Sequence, residues 1–205
     1  GSTYLHENLL DHPEIHMPRG ETPFFEDPDY ADGDTKRLFD HVGIAQPGQI
    51  VGIKRPTYLQ WHYTHERLYQ HLPDAKYIVV LRDPMERAIS ACYHYMRHGF
   101  IPVTTPNVCF ERIFQPKIVS RYPSYPLLLE ASLYGKHLSH FLSIFDRSQL
   151  LVLYYTELKA DPLAFIQKAY AFLNVDASYH PTHMASRPQA NIYSLQKLQV
   201  LALEA

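Results

Sequence analysis

The segment that most restricts the fold is a run of five apolar residues, Tyr77–Leu81, which is followed at once by a charged turn. A short run without alternating polar residues is typical of a strand covered on both faces of a parallel sheet. Asp83 and Pro84 then supply a helix N-cap and a favoured first helical residue. The sequence therefore predicts a central strand, a tight turn and a helix. Open α/β sheets bind ligands at the carboxyl end of such a strand.

The predicted helix has an apolar stripe on one side, and an arginine and a serine lie near its start. We expect the buried stripe to consist of Met85, Ala88, Ile89, Cys92, Tyr95 and Met96. Arg82 follows the strand directly, and Ser90 lies about two turns into the helix. An arginine and a hydroxyl beside a helix N-terminus make a site for a phosphate-like anion. The alternative is that Arg82 pairs with Asp83 or a backbone carbonyl and that Ser90 is a solvated helix residue, and the residue pattern leaves both interpretations open.

Two further apolar runs, at residues 50–53 and 150–153, predict buried strands, and a long helix is expected over 126–145. Strands that alternate with helices predict an α/β fold, a three-layer sandwich with a central parallel sheet like that of P-loop NTPases. The chain shows no internal repeat and no linker, so we expect a single domain over residues 1–205. Three strands are few for such a sheet, and a strand preceding Gly1 would account for the shortage.

Composition and charge restrict the class of protein. The formal net charge of −2 gives no general attraction to nucleic acid or acidic membranes. Cys92 and Cys109 are too few for a disulfide framework, and Cys92 fits the helix core. No run is apolar enough to span a bilayer, and the 13 histidines form no metal-ligand pattern. We expect a metal-free protein in a reducing bacterial cytoplasm, with the Golgi lumen as the alternative and the oligomeric state open.

Four short stretches fall in the order of a known family. They are Gly-Ser-Thr-Tyr at 1–4 with His-Pro at 12–13, Gly-Glu-Thr-Pro-Phe-Phe at 20–25, Ile-Lys-Arg-Pro-Thr-Tyr at 53–58, and Arg-Asp-Pro-Met-Glu-Arg-Ala-Ile-Ser at 82–90. Together they resemble sulfotransferases that use 3′-phosphoadenosine 5′-phosphosulfate (PAPS), of the heparan-type and bacterial branches. The 82–90 stretch is the most specific of the four.

The resemblance implies roles for individual residues. Arg82 and Ser90 would bind the 3′-phosphate of PAPS and of its product adenosine 3′,5′-bisphosphate (PAP). Gly1, Ser2, Thr3 and Tyr4 would bind the 5′-phosphosulfate, with Arg187 as a second contact to the nucleotide. Glu21 would be the general base and Lys54 would stabilise charge in the transition state, with His62 as an alternative base. No metal is implied.

The sequence departs from the family pattern at two places, the loop that binds the 5′-phosphosulfate and the residue before the catalytic glutamate. The lysine that normally precedes the loop glycine does not stand in the sequence, so we expect a chain truncated at its N-terminus. Gly1 and Ser2 also fit a cloning scar, and the sequence leaves that alternative open. Gly20 stands where the family often has lysine, so a second cation has to come from elsewhere, and Lys54 is the expected source.

Two other functions stay open on the sequence alone. One is a P-loop nucleotide kinase-like phosphotransferase, although Gly-Lys-Ser/Thr is not seen. The other is a nucleotide-binding domain without catalytic activity. For a sulfotransferase, the expected acceptor is a hydroxyl or amine on a small molecule, carbohydrate, lipid or polyketide-like compound. The lack of basic runs argues against a highly anionic polysaccharide such as heparan.

Overall fold

The computed structural model describes residues 1–31 and 34–182, which form helices and short parallel strands. The strands are β1 (Ile15–His16), β2 (Ile50–Val51), β3 (Tyr77–Leu81) and β4 (Leu150–Tyr154). The helices are α1 (Ser2–Leu10), α2 (Thr35–Val42), α3 (His62–His71), α4 (Pro84–Arg97), α5 (Pro106–Arg112), α6 (Pro116–Arg121), α7 (Leu127–Glu130), α8 (Tyr134–Leu142), α9 (Tyr155–Ala160) and α10 (Pro162–Leu173). Short 3₁₀ turns cover Pro56–Leu59 and Arg147–Gln149. The fold is therefore α/β, as predicted.

The strands pair in parallel, two by two. β3 pairs with β4 from Tyr77 opposite Leu150 to Leu81 opposite Tyr154. β1 pairs with β2, with Ile15 opposite Ile50. The described strands thus form two separate two-stranded sheets.

The predicted strands at 77–81 and 150–153 are confirmed, but the prediction of a buried strand at 50–53 is wrong in two respects. Only Ile50 and Val51 are in strand conformation, and the two side chains are 36% and 57% exposed. Within the described residues β2 pairs with β1 alone, so no second strand covers its other edge. An apolar run by itself does not reveal how many neighbours a strand has.

The described residues group into two compact units, residues 1–81 with 136–182 and residues 82–135. The single domain expected from the sequence stays a prediction. In the first unit, one apolar cluster joins α1, β4 and α10 through residues such as Leu5, Leu153 and Ile166. A second cluster in the same unit is built on the aromatic side chains of Phe24, Phe25, Tyr58, Phe141 and Phe145.

The start of α4 is as predicted, whereas its buried stripe is narrower. The Asp83 side chain accepts a hydrogen bond of 2.9 Å from the Glu86 N–H, and Pro84 is the first helical residue. Ala88, Cys92 and Met96 are buried. Met85 and Ile89, which we expected inside, are 57% and 38% exposed, because Cys92 and Met96, on a different row of the helix, are the residues that face the apolar core of residues 82–135.

Cys92 is fully buried, as predicted, but its sulfur forms a disulfide with Cys109 of α5. The sequence pattern did not predict this bond. The pairing depends on α5 packing beside α4, and a separation of 17 residues along the chain does not reveal that packing.

The predicted long helix over 126–145 is wrong, because two helices, α7 and α8, occupy that stretch. Ser132 lies at the break, where its hydroxyl donates to the Pro84 carbonyl (3.1 Å) and accepts from the Arg87 guanidinium (2.5 Å). A serine that bonds elsewhere competes with continued helix. Among the described residues, none of the helices combines the length and apolar character that a membrane span requires.

Candidate active site

Glu21 lies between two cationic side chains. Its Oε1 accepts from Lys54 Nζ at 3.0 Å, and its Oε2 accepts from Arg55 Nη1 at 3.0 Å. The backbone brings these residues together, because the Thr22 N–H donates to the Lys54 carbonyl at 2.9 Å. The carboxylate side chain remains 40% exposed. The structure thus brings together Glu21 and Lys54, two residues predicted from the sequence to act together, and places Arg55 beside them.

A second carboxylate, Glu26, lies on the other side of Arg55. The arginine donates from Nε to Glu26 Oε1 at 2.9 Å and from Nη2 to Oε2 at 2.5 Å. The Thr57 hydroxyl donates to the same carboxylate. The hydrogen bonds to Glu26 raise the pKa of Arg55 above its ordinary value. The sequence motifs indicated no role for Arg55 or Glu26.

Tyr58 fixes the loop that carries both glutamates. Its hydroxyl donates to the Thr22 carbonyl and accepts from the Phe25 N–H, the latter at 3.2 Å. Burial raises the pKa of Tyr58, so the phenol stays protonated as a donor. Phe25 is fully buried. The loop from Glu21 to Glu26 is therefore held to the 3₁₀ turn at Pro56–Leu59.

His6 of α1 is a nearby residue that the sequence analysis missed. Its Nε2 lies 3.0 Å from the Pro18 carbonyl, and since a carbonyl only accepts, Nε2 carries the proton. Burial is the main cause that lowers the pKa of His6, and the positive charge of Lys54 lowers it further. The ring is thus neutral and within electrostatic reach of Lys54 and Glu21. No spacing pattern signals this residue, because only the fold places α1 beside Lys54.

The first turn of α1 contains the residues predicted for the 5′-phosphosulfate. Gly1 is the N-cap, and a Cβ there would lie 2.7 Å from Val80 Cγ1, so the backbone approaches β3 too closely for a side chain. Ser2 and Thr3 follow in the first turn, whose N–H groups favour anions. Tyr4 is buried in the core, so only its backbone can serve a ligand.

Arg82 and Ser90 line one cavity of about 330 Å³ in the unit of residues 82–135. The other lining residues are Glu86, Ile89 and Tyr93. Arg82 Nε donates to Glu86 Oε2 at 2.8 Å, a partner that the sequence did not suggest, and the role of Arg82 in anion binding stays a prediction. Both predicted anion ligands nevertheless share the cavity. Arg187 lies outside the described residues.

His62 belongs to a cluster of four histidines on α3 and α8. Its Nε2 lies 3.1 Å from His137 Nδ1, and its ring stacks on His140 at 4.0 Å between centroids. His65 Nδ1 lies 3.0 Å from His140 Nδ1. Within the described ranges, no group of three or more histidine, cysteine or acidic side chains is arranged to hold a metal ion. The role of His62 as an alternative base stays a prediction.

A family model described as the sulfotransferase domain matches residues 1–199. The chain belongs to the sulfotransferase family. Heparan sulfate glucosamine 3-O-sulfotransferase 5 of Mus musculus is 28% identical over 177 residues, 85% of this chain and 50% of that protein. Bifunctional heparan sulfate N-deacetylase/N-sulfotransferase 2 of Homo sapiens is 28% identical over 190 residues, 85% of this chain and 21% of that protein. The chain therefore spans half or less of these curated relatives.

Two solved sulfotransferase structures share the fold. The sulfotransferase from Alicyclobacillus acidocaldarius superimposes with a TM-score of 0.78 at 22% identity, covering 99% of this chain and 86% of that one. The sulfotransferase domain from the curacin biosynthetic pathway superimposes with a TM-score of 0.56 at 16% identity, covering 93% of this chain and 75% of that one. At these identities the likeness supports the α/β fold of the family.

Proposed function

We propose that this sulfotransferase moves a sulfonate group from PAPS to a hydroxyl or amine of its acceptor, with Glu21 as the general base. The observation that carries the proposal is the partly exposed Glu21 carboxylate held at 3.0 Å from both Lys54 and Arg55. An exposed carboxylate can reach an acceptor proton, and fixed cations beside it can stabilise charge that develops during transfer.

In the proposed reaction, Glu21 takes the proton from the acceptor. The acceptor oxygen or nitrogen forms a bond to sulfur as the bond from sulfur to the 5′-phosphate oxygen breaks. The electron pair of that bond leaves with the phosphate, and PAP is the product. Lys54 orients Glu21 and stabilises negative charge in the transition state.

Two parts of the chain fit the anionic groups of PAPS. The start of α1 offers first-turn N–H groups beside Gly1, where a Cβ would collide with Val80. Arg82 and Ser90 offer a guanidinium and a hydroxyl in one cavity, and these are the donors that a 3′-phosphate needs. We assign the 5′-phosphosulfate to residues 1–4 and the 3′-phosphate to Arg82 and Ser90.

We also infer a three-layer arrangement similar to P-loop NTPases for the complete sheet. The parallel pairing of β3 with β4 and the close approach of Gly1 to Val80 support it. Glycine permits such a close approach because it has no Cβ.

The acceptor is proposed to be a hydroxyl-bearing small molecule or carbohydrate. One relative is named for heparan sulfate and one structural neighbour for the curacin biosynthetic pathway, and these different names support a proposal that covers more than one class of acceptor. The lack of basic runs in the sequence favours a less anionic acceptor than heparan. The cytoplasmic location expected from the composition stays a prediction.

The first test is a calorimetric titration with PAP in a buffer without magnesium. The wild-type protein should bind PAP, and Arg82→Ala should weaken binding about 10- to 100-fold, since a charge-assisted hydrogen bond to phosphate is lost. Arg97→Ala is the matched control, because Arg97 is an exposed arginine in the last turn of the same helix, α4. It should leave the affinity within about twofold of wild type.

Three outcomes would contradict the proposal in different ways. Equal affinity in Arg82→Ala and wild type would refute the 3′-phosphate assignment. Thermal stabilisation by magnesium-ATP alone would favour the kinase-like alternative. Tight PAP binding without transfer of labelled sulfonate from PAPS to water, to a neutral glycoside or to a heparan oligosaccharide would favour a domain without catalytic activity.

A further inference from the structure

Arg55 joins the two carboxylates of the candidate active site with a single side chain. Its guanidinium contacts Glu26 through Nε and Nη2 and Glu21 through Nη1. We propose that Arg55 is a positioning residue that uses Glu26 as an anchor and holds the Glu21 carboxylate in the orientation required for proton removal. This inference rests on the proposed function, in which Glu21 is the base.

The shape of the guanidinium makes the bridge rigid. A planar guanidinium presents five N–H donors in fixed directions, and one edge of it matches the two oxygens of a carboxylate. Glu26 occupies that edge at 2.9 and 2.5 Å. Once this edge is bound, the direction of Nη1 is set, and Glu21 Oε2 lies on it at 3.0 Å. The position of Glu21 therefore depends on the contact between Arg55 and Glu26.

Burial separates the anchor from the base. The Glu26 side chain is 12% exposed and also accepts from the Thr57 hydroxyl. The Glu21 side chain is 40% exposed and is the carboxylate of the pair that an acceptor can approach. Glu26 is largely buried and accepts three hydrogen bonds, so its position is fixed and it can anchor Arg55. Glu21 faces solvent, so it can accept a proton from an acceptor.

Lysine cannot replace this bridge. An ammonium group is a compact charge on a flexible stem and has no planar fork, so it cannot hold both carboxylates in fixed directions. Lys54 already occupies the other oxygen of Glu21 at 3.0 Å. The variant Arg55→Lys therefore keeps the charge and removes the geometry.

The experiment measures sulfonate transfer from labelled PAPS to water, as released sulfate, because water needs no knowledge of the natural acceptor. Four variants are compared with wild type: Arg55→Lys, Glu21→Gln, the double variant of these two, and Arg67→Lys. Arg67 is the matched control, since its guanidinium also joins two groups, the Phe25 carbonyl at 3.0 Å and the Asp27 carboxylate at 3.1 Å, and neither bond involves Glu21 or Glu26. PAP affinity by calorimetry and the melting temperature are measured for each.

Arg55→Lys should lower kcat about 10- to 100-fold, the effect of a misplaced catalytic group, with KM for PAPS and PAP affinity unchanged. Arg67→Lys should keep a kcat within about threefold of wild type. In the Glu21→Gln background, Arg55→Lys should cause no further loss. That non-additivity is the readout that a merely structural role would not produce.

The possible failures are distinguishable. Wild-type kcat in Arg55→Lys, together with an inactive Glu21→Gln, would refute the inference and leave the proposed function standing. An active wild type that Glu21→Gln does not impair would refute the base assignment itself. Weaker PAP binding with a lower melting temperature in Arg55→Lys, or an additive loss in the double variant, would show that Arg55 merely supports the fold.

Discussion

At the scale of single residues, two glutamates five positions apart have different surroundings. Glu26 accepts two hydrogen bonds from Arg55 and one from Thr57 and is largely sheltered. Glu21 has one cation on each oxygen and is more exposed. Removing the charge of Glu26 takes the carboxylate partner from Arg55 Nε and Nη2 and leaves only the Nη1 contact to Glu21, and this loss is costly because the sheltered guanidinium does not regain its hydration.

We expect Glu26→Gln to lower the free energy of unfolding by about 1–3 kcal/mol, measured by urea denaturation. Asp40→Asn is the control, because Asp40 forms an ion pair of 2.5 Å with Lys36 in which both side chains are more than half exposed. Asp40→Asn should lower the free energy of unfolding by about 0.5 kcal/mol or less. Equal losses in the two variants would show that the Glu26 contacts contribute no more than a surface ion pair.

The sequence predicted part of this site. Glu21 and Lys54 were found because each belongs to a short motif and the motifs fall in a recognisable order. Arg55 and Glu26 stand inside or beside the same motifs, yet no pattern states that one guanidinium reaches both carboxylates. That contact depends on the backbone bond from Thr22 to Lys54, which only the fold provides.

At the scale of elements, α3 and α8 meet through histidines whose proton positions can be deduced. His65 Nε2 lies 3.0 Å from the Tyr58 carbonyl, so Nε2 carries the proton and Nδ1 accepts. His140 Nδ1, 3.0 Å away, must then be the donor. A second proton on His65 would place two N–H groups against each other. Burial, His140 and His62 together lower the pKa of His65 to about 4.

This lowered pKa predicts a loss of stability in acid. In the unfolded chain the pKa of His65 returns to about 6.5, so between pH 6.5 and 4 the unfolded state binds more protons than the folded state. The stabilisation is fully present above pH 6.5 and falls away as the pH drops towards 4. The loss should be about 3 kcal/mol in the free energy of unfolding, measured by urea denaturation across this range.

The variant His65→Gln should be less stable at neutral pH but should have a flatter pH dependence than wild type. His71→Gln serves as the control, because His71 is an exposed histidine at the end of the same helix. It should retain the wild-type slope. If His65→Gln and wild type lose stability equally between pH 6.5 and 4, the histidine cluster is not the cause.

Features of the elements that depend on neighbouring residues in the sequence were predicted correctly, and features that depend on distant residues were not. The start of α4 follows from Asp83 and Pro84, which act within one turn. The break between α7 and α8 depends on Ser132 bonding to Pro84, 48 residues away in sequence. The exposure of β2 likewise depends on how many strands lie beside it. Periodicity reports which residues share a face, and it does not report what covers that face.

At the scale of the whole molecule, the chain passes between its two compact units after residues 81 and 135. The disulfide between Cys92 and Cys109 lies in the unit of residues 82–135, and Trp61, the single tryptophan of the chain, lies in the other. Whether reduction of the disulfide in one unit changes unfolding at Trp61 in the other unit therefore tests the predicted single domain.

Reduction of the disulfide should lower the free energy of unfolding by about 3 kcal/mol, because a closed loop of this length restricts the unfolded chain. If residues 1–205 form one cooperative domain, the urea midpoints from Trp61 fluorescence and from far-UV circular dichroism should shift together. A shift in circular dichroism with unchanged Trp61 fluorescence would refute the single domain. The variant Cys92→Ser/Cys109→Ser, with and without reductant, is the control and should show no response to reductant.

The same cysteine pair can also report the protein's location. Disulfides persist in oxidising compartments and are rare where glutathione keeps thiols reduced. Both cysteines are fully buried, so cells are first quenched in acid, which protonates thiolates and stops thiol–disulfide exchange, and the thiols are then alkylated in denaturant. Reduced thiols would agree with the predicted cytoplasm, and an intact Cys92–Cys109 bond would place the protein outside it.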